Sequence, residues 1–184
     1  AFSKTGPILF THFGLSGPTI LNSAAQVGDL MLAGAVSCTI DLFPEMDFSE
    51  VDTKILAGVD AGKNKQFINV LSEVVPRGIA NAAFSLLKIP STDIKAHSFG
   101  KDDRRRLVHL LKAMPADILG LMGFDRAVVS DGGVVLEEVD TRTFASRIIP
   151  NLYLTGDVLH ISRPSGGYSL QLCWTTGYVA GSNV

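Results

Sequence analysis

The sequence predicts an α+β fold with a small β-rich, barrel-like lobe, an inserted helical lobe and a C-terminal strand–loop–helix segment. Three changes of pattern carry this reading. Residues 1–45 hold short apolar runs that alternate with period two, residues 46–125 space their apolar residues as helix faces, and residues 126–184 return to strand-like runs before a long apolar stretch. The predicted domains follow the same lines: 1–125 as one domain with β-rich (1–45) and helical (46–125) parts, and 126–184 as a separate C-terminal segment.

In the first zone, Pro7 to Phe13 reads as one short strand, and Ala35 to Leu42 alternates as a second, ended by Phe43-Pro44. Between them Leu15-Ser16-Gly17-Pro18 opens a helix through about Ala25, with Ser16 as cap and Pro18 in a first turn, where its missing donor would be unpaired anyway. In the second zone, Ser49 precedes a helical face at Val51, Ile55, Leu56 and Val59 that ends near Gly62. Phe67 to Val74 forms a second stripe stopped by Pro76, Ile79 to Leu87 a third stopped by Pro90, and Leu107 to Leu111 a fourth ending before Pro115. Arg104, Arg105 and Arg106 read as a solvated helix face beside Asp102 and Asp103. In the third zone, Ala127 to Ser130 and Val134 to Leu136 read as strands around Asp131-Gly132-Gly133. Leu152 to Thr155 reads as a buried strand, and Tyr168 to about Ala180 as a packed helix.

Composition narrows the function classes. The 184 residues carry a net charge of −2, with 46% hydrophobic and 18% charged residues, which excludes a disordered chain. Such a balance offers no electrostatic footprint for nucleic acid or for an anionic membrane, so neither is an expected partner. No apolar run is long enough for a transmembrane helix. Cys38 and Cys173 are far apart, and His97 and His109 lack ligands at metal spacing, so no metal site is expected. The chain begins at Ala1 with strand-like sequence almost at once, and the expectation is a piece of a longer, cytoplasmic polypeptide.

The richest stretch for chemistry is Asn151 to Gly181. It reads as a strand that presents Asp157 at its carboxyl end after Gly156, then a polar loop, then Gly166-Gly167 opening a helix at Tyr168 and Ser169. Ligands of open α/β sheets bind beyond the carboxyl ends of strands. A carboxylate there suits sugar-like hydroxyls, and free N–H groups at a helix start suit negatively polarised oxygens. That pair of features matches a flavin, with its ribityl chain at one and the pyrimidine edge of its ring at the other. Equally, each feature alone is an ordinary turn, since Gly and Asp dominate turns for conformational reasons. His160 and Arg163 lie in the loop as candidate contacts for substrate or flavin, or as solvated charges. His12 is a candidate acid–base or substrate contact, or a local hydrogen-bonding group that holds the turn before Ser16.

Three stretches resemble one family. Leu152-Tyr153-Leu154-Thr155-Gly156-Asp157-Val158-Leu159, followed by Gly166-Gly167-Tyr168 and Thr176 to Gly181, is similar to the C-terminal FAD segment of the YhiN/BaiN-type flavoproteins. These are also labelled NAD(P)/FAD-dependent or aminoacetone-oxidase-family enzymes. Leu9 to Pro18 is similar to their LFTHxGxSGP signature, and Ala127 to Val134 to a strand ending in Gly-Gly-Val; Pro76-Arg77 also falls where their helical lobe has such a step. The resemblance covers the whole chain, in the family's order. Asp157 stands where Glu is commoner, and either can hold a hydroxyl; His160 stands where Asp is common and Ser169 where Asn is, which bears on specificity.

The resemblance implies a split architecture: a dinucleotide-binding half, then an inserted lobe, then a return segment that completes a Rossmann-like FAD domain. This chain corresponds to the insertion and the return, and it contains no GxGxxG. The implied protein is an FAD-dependent oxidoreductase acting on a small molecule, with NAD(P)H as a candidate electron source. The fragment alone is expected to be inactive. Gly156, Asp157, Gly166, Gly167, Tyr168 and Ser169 are the implied flavin contacts, with Gly132 and Gly133 near the ring, and no residue is assigned as the catalytic acid or base. The implied partner is the missing FAD-binding half, and its absence leaves apolar surface through which the isolated chain is expected to self-associate. The alternative is a non-catalytic binding or interaction domain, in which the glycines and Asp157 are turns and an exposed apolar face is a protein interface.

Overall fold

The computed structural model describes residues 1–89, 93–128 and 132–184. The chain is mixed α and β, and it divides into two compact units, residues 36–118 and residues 1–35 with 119–184. Compactness thus groups the strand after Ala35 with the helices that follow it.

The unit 36–118 is built on β3 (Val36–Ile40), α3 (Phe48–Ala61), α4 (Phe67–Val74), α5 (Arg77–Leu86), α6 (Lys101–Lys112) and β4 (Met114–Ile118). The helical stripes read from the sequence form helices. The start of α3 differs from expectation, because Asp47 and not Ser49 is the cap. Asp47 Oδ1 accepts the Glu50 N–H at 2.9 Å, and Glu50 Oε2 accepts the Asp47 N–H at 2.7 Å, closing a reciprocal capping box. The Pro90 stop lies outside the described residues, and α5 ends by Leu87.

β4 is a strand that the sequence reading missed. It pairs antiparallel with β3, with Pro115 opposite Thr39. A two-stranded ribbon has only edge strands, so a proline without a donor is tolerated there. The apolar faces of the helices converge on Val51, Ile55, Phe67, Ile68, Leu71 and Leu107, all at most 1% exposed. Arg104 is not solvated as expected. Its Nε donates to Asp52 Oδ1 at 2.6 Å, and its side chain is only 14% exposed. Burial raises the Cys38 thiol above its ordinary value, and the charge of Asp117 adds to the effect.

The unit 1–35 with 119–184 contains β1 (Leu9–Thr11), β2 (Gly14–Ser16), α1 (Pro18–Leu21), α2 (Ala24–Ala33) and α7 (Tyr168–Gly181). The single strand expected over 7–13 is the first arm of a hairpin, with Leu9 paired to Ser16 and Thr11 to Gly14. Ser16 is therefore a strand residue, and Gly17 caps α1 without a side-chain hydrogen bond. The helix expected to run through Ala25 breaks at Asn22-Ser23, where the Ser23 N–H turns back to the Ile20 carbonyl and Ser23 Oγ donates to the Thr19 carbonyl at 2.6 Å.

Two further strands are not strands. Leu152 to Thr155 makes only an isolated bridge, Tyr153 to Ala145, and Val134 to Leu136 makes one parallel bridge, Val134 to Leu159, before a 3-10 turn over Leu136–Glu138. Each run meets a neighbour at one residue, so no ladder propagates. The run over 127–131 falls partly on residues 129–131, outside the described residues. Among the described residues the sheets are two two-stranded ribbons without a closed barrel, and no helix is long and apolar enough to cross a membrane.

Candidate functional site

The site grows from how one loop is held. A 3-10 turn, Gly156–Val158, packs on α7: the Gly156 N–H donates to Thr176 Oγ1 at 2.9 Å, and Thr176, 1% exposed, donates in turn to the Leu172 carbonyl at 2.7 Å. A buried N–H needs such a partner, and Thr176 supplies it from the third turn of the helix. Asp157 follows immediately, its carboxylate about half exposed.

Arg163 brackets the loop. Its Nη2 donates to Asp157 Oδ1 at 2.5 Å, its Nε to Ser169 Oγ at 2.7 Å and its Nη1 to the Ile161 carbonyl at 2.6 Å. The side chain is only 6% exposed. A planar guanidinium can hold three acceptors in fixed directions, so Arg163 locks the acid, the loop and the first turn of α7 into one piece. One Asp157 oxygen is used by Arg163, and a carboxylate has further acceptor sites for a ligand.

The glycine loop then enters α7. Gly167, the helix N-cap, has φ +94°, and no side chain caps the helix. Only glycine adopts this conformation readily. The first intrahelical bond runs from the Gln171 N–H to the Gly167 carbonyl, so the N–H groups of Tyr168, Ser169 and Leu170 are donors of a free helix start. Ser165 Oγ is buried without a hydrogen-bond partner, while the Ser165 N–H donates to Asn22 Oδ1 at 2.7 Å. A buried hydroxyl with no partner marks a place where a polar group from outside the chain would fit.

Gly132 and Gly133 come to the same place. The Val134 N–H donates to the Val158 carbonyl at 2.8 Å, and the His160 N–H donates to the Val134 carbonyl at 2.9 Å. Gly133 thus runs beside the Asp157 turn. The structure brings together Gly132, Gly133, Gly156, Asp157, His160, Arg163, Gly166, Gly167, Tyr168 and Ser169. His12 lies elsewhere, exposed on the β1–β2 turn with its ring edge-on to Phe13 at 5.0 Å. That turn is held by Thr11, whose Oγ1 donates to the Gly14 carbonyl at 2.9 Å, and not by His12 as the local reading expected. Thr176 and Asn22 are site residues that the sequence reading missed. Thr176 was signalled by its place in the C-terminal motif but not as the partner of the Gly156 N–H, and Asn22 by nothing local.

The arrangement is an acid held beside a glycine loop that opens a helix, with Gly133 running alongside. The chain belongs to the HI0933-like family, whose barrel and H2TH domain matches residues 1–129, in agreement with the resemblance that its motifs carry. Among curated proteins it is 28% identical over 179 residues to a ribosomal RNA dihydrouridine synthase of Escherichia coli (strain K12), covering 96% of this chain and 42% of that protein. It is 29% identical over 182 residues to a 3-dehydro-bile acid delta(4,6)-reductase of Clostridium scindens, covering 96% of this chain and 43% of that protein. A ribosomal RNA dihydrouridine synthase of Haemophilus influenzae matches at 25% over 177 residues, 96% of this chain and 42% of that protein. The chain therefore spans less than half the length of these relatives.

Proposed function

We propose that this chain forms part of the flavin site of an FAD-dependent reductase whose substrate carries a carbon–carbon double bond conjugated to a carbonyl. The observation that carries the flavin reading is the fixed pair formed by the Asp157 carboxylate and the open start of α7, both held by Arg163. Asp157 would accept from a ribityl hydroxyl. The N–H groups of Tyr168 and Ser169 would donate to a ring oxygen, with the positive end of the helix dipole favouring charge there. The partnerless Ser165 Oγ and the glycine backbone beside it fit a polar, planar ligand edge. Bound flavin would supply the hydride chemistry. The residues of this chain would orient it.

The substrate class comes from the relatives' names. Making dihydrouridine and reducing a delta(4,6) 3-dehydro-bile acid both add hydrogen across a double bond conjugated to a carbonyl. A small molecule is the substrate proposed here, and the net charge of −2 on these 184 residues adds no field for RNA phosphates. NADH or NADPH is the proposed source of electrons. The adenine side of the cofactor is assigned to a dinucleotide-binding half. Leu170, Trp174 and Tyr178, spaced by four along α7 and 57%, 66% and 78% exposed, are the stripe that half would cover; in isolation the same stripe would drive self-association.

The test uses the full-length natural protein. Purification is expected to give a yellow, flavin-loaded product that oxidises NAD(P)H faster when a small enone is added. Replacing Asp157 by Ala is expected to weaken flavin binding about tenfold to a hundredfold, the loss of one hydrogen bond to a charged acceptor. A colourless wild-type protein that binds no added flavin would sink the reading. Unchanged flavin content in D157A would remove the role of Asp157, and turnover of ribosomal RNA with none of small enones would overturn the substrate class.

A further inference from the structure

The short helix that follows the hairpin at the start of the chain delivers one side chain to the loop. We propose that Asn22 is the positioning residue of the flavin-binding glycine loop, its side-chain carbonyl pinning Ser165 from 143 residues away. This rests on the flavin reading above.

The geometry is specific to the side chain. Asn22 ends α1, with its own N–H on the Pro18 carbonyl at 2.9 Å, and its carbonyl accepts from Lys4 Nζ at 2.8 Å. The neighbouring Ser23 hydroxyl closes onto Thr19. The backbone of Asn22 is thereby fixed by local bonds. Asparagine at a helix end commonly bonds its own neighbourhood, but Oδ1 of Asn22 bonds the distant Ser165 N–H at 2.7 Å.

The loop needs such a clamp. A segment that offers free N–H groups to a ligand cannot use them to hold itself, and two consecutive glycines at φ +104° and +94° are conformationally loose. Arg163 fixes the loop on the Asp157 side, and Asn22 fixes it one residue before Gly166. The clamp limits the ordering cost on binding, because residues already fixed lose no further conformational freedom. It also gives the first motif a purpose. Gly17, Pro18 and the four-residue α1 set the distance from the hairpin to Asn22.

The test compares N22L, which keeps size and removes the acceptor, with N22D, which keeps the acceptor, in the full-length protein. N22L is expected to weaken flavin binding about tenfold, the loss of one ordering hydrogen bond, and to change the visible flavin spectrum, while N22D stays near wild type. Hydrogen exchange over residues 161–170 of the flavin-free protein is expected to speed up in N22L and not in N22D. Equal flavin affinity in N22L and wild type would overturn the proposal, as would a parallel loss in N22D. Unchanged exchange in N22L would overturn it too. The exchange arm needs no flavin, so a wild type that binds none defeats the flavin reading and leaves the clamp separately tested.

Discussion

Replacing Phe67 by Ala is expected to destabilise the protein by about 3–5 kcal/mol, the usual range for truncating a buried aromatic ring. Phe67 is fully buried at the start of α4, with its ring 3.8 Å from that of Phe99 at an interplanar angle of 10° and 6.0 Å from that of Phe84. Its N–H also donates to the Ile94 carbonyl at 2.8 Å, which ties α4 to the chain after α5. Removing the ring opens a cavity bordered by rigid aromatic faces that have no short path to collapse. The Phe–Phe contacts add about 0.5–1.5 kcal/mol beyond the buried area. F67L, which leaves a smaller void, should cost less. Chemical denaturation of the two variants checks this, and a loss below about 1 kcal/mol in F67A would contradict a core centred on this stack.

The helices of the unit 36–118 were legible because local rules decide them. Phe67, Ile68, Val70 and Leu71 repeat as one buried face, and a face of that width specifies its own period. Even the corrected cap is written locally, in Asp47-Phe48-Ser49-Glu50, where acid and acid at the ends bond each other's backbone. β4 was hidden because Pro115 argues against a strand, and only the pairing with β3 makes it acceptable.

The site was half legible for a similar reason. Asp157 and Gly166-Gly167 could be marked from turn chemistry and from resemblance. Nothing at Arg163 says that its three donor nitrogens go to Asp157, Ile161 and Ser169 instead of to a ligand. Nothing at Asn22 names Ser165 as its partner. The strand expected before Asp157 misled because its apolar run, Leu152 to Leu154, is only half-buried. The acid is positioned by a buried N–H on Thr176 and by one bridge from Val134, not by a sheet edge.

That single bridge makes Gly133 the most sensitive backbone position of the site. Gly133 has φ +118°, and a Cβ there would sit 2.5 Å from the Val158 carbonyl oxygen and 3.0 Å from the His160 nitrogen. Those are backbone atoms, so no rotamer change relieves the contact. Replacing Gly133 by Ala must push the segment away from residues 158–160 and break both Val134 hydrogen bonds, each worth about 0.5–1.5 kcal/mol. The positive φ adds about 1–3 kcal/mol for a residue with a side chain. A total near 2–6 kcal/mol is expected, with flavin binding lost as the Asp157 turn comes free of its neighbour. Gly132→Ala is the control for the Cβ contact, because a Cβ at Gly132 meets no described atom within 4 Å while its φ of +90° carries a backbone cost of the same kind. Thermal melts and flavin titration of the two variants separate strain from contact. If G133A behaves like G132A in both, the segment bearing the glycine pair does not support the acid, and the flavin ring has lost one wall of its proposed site.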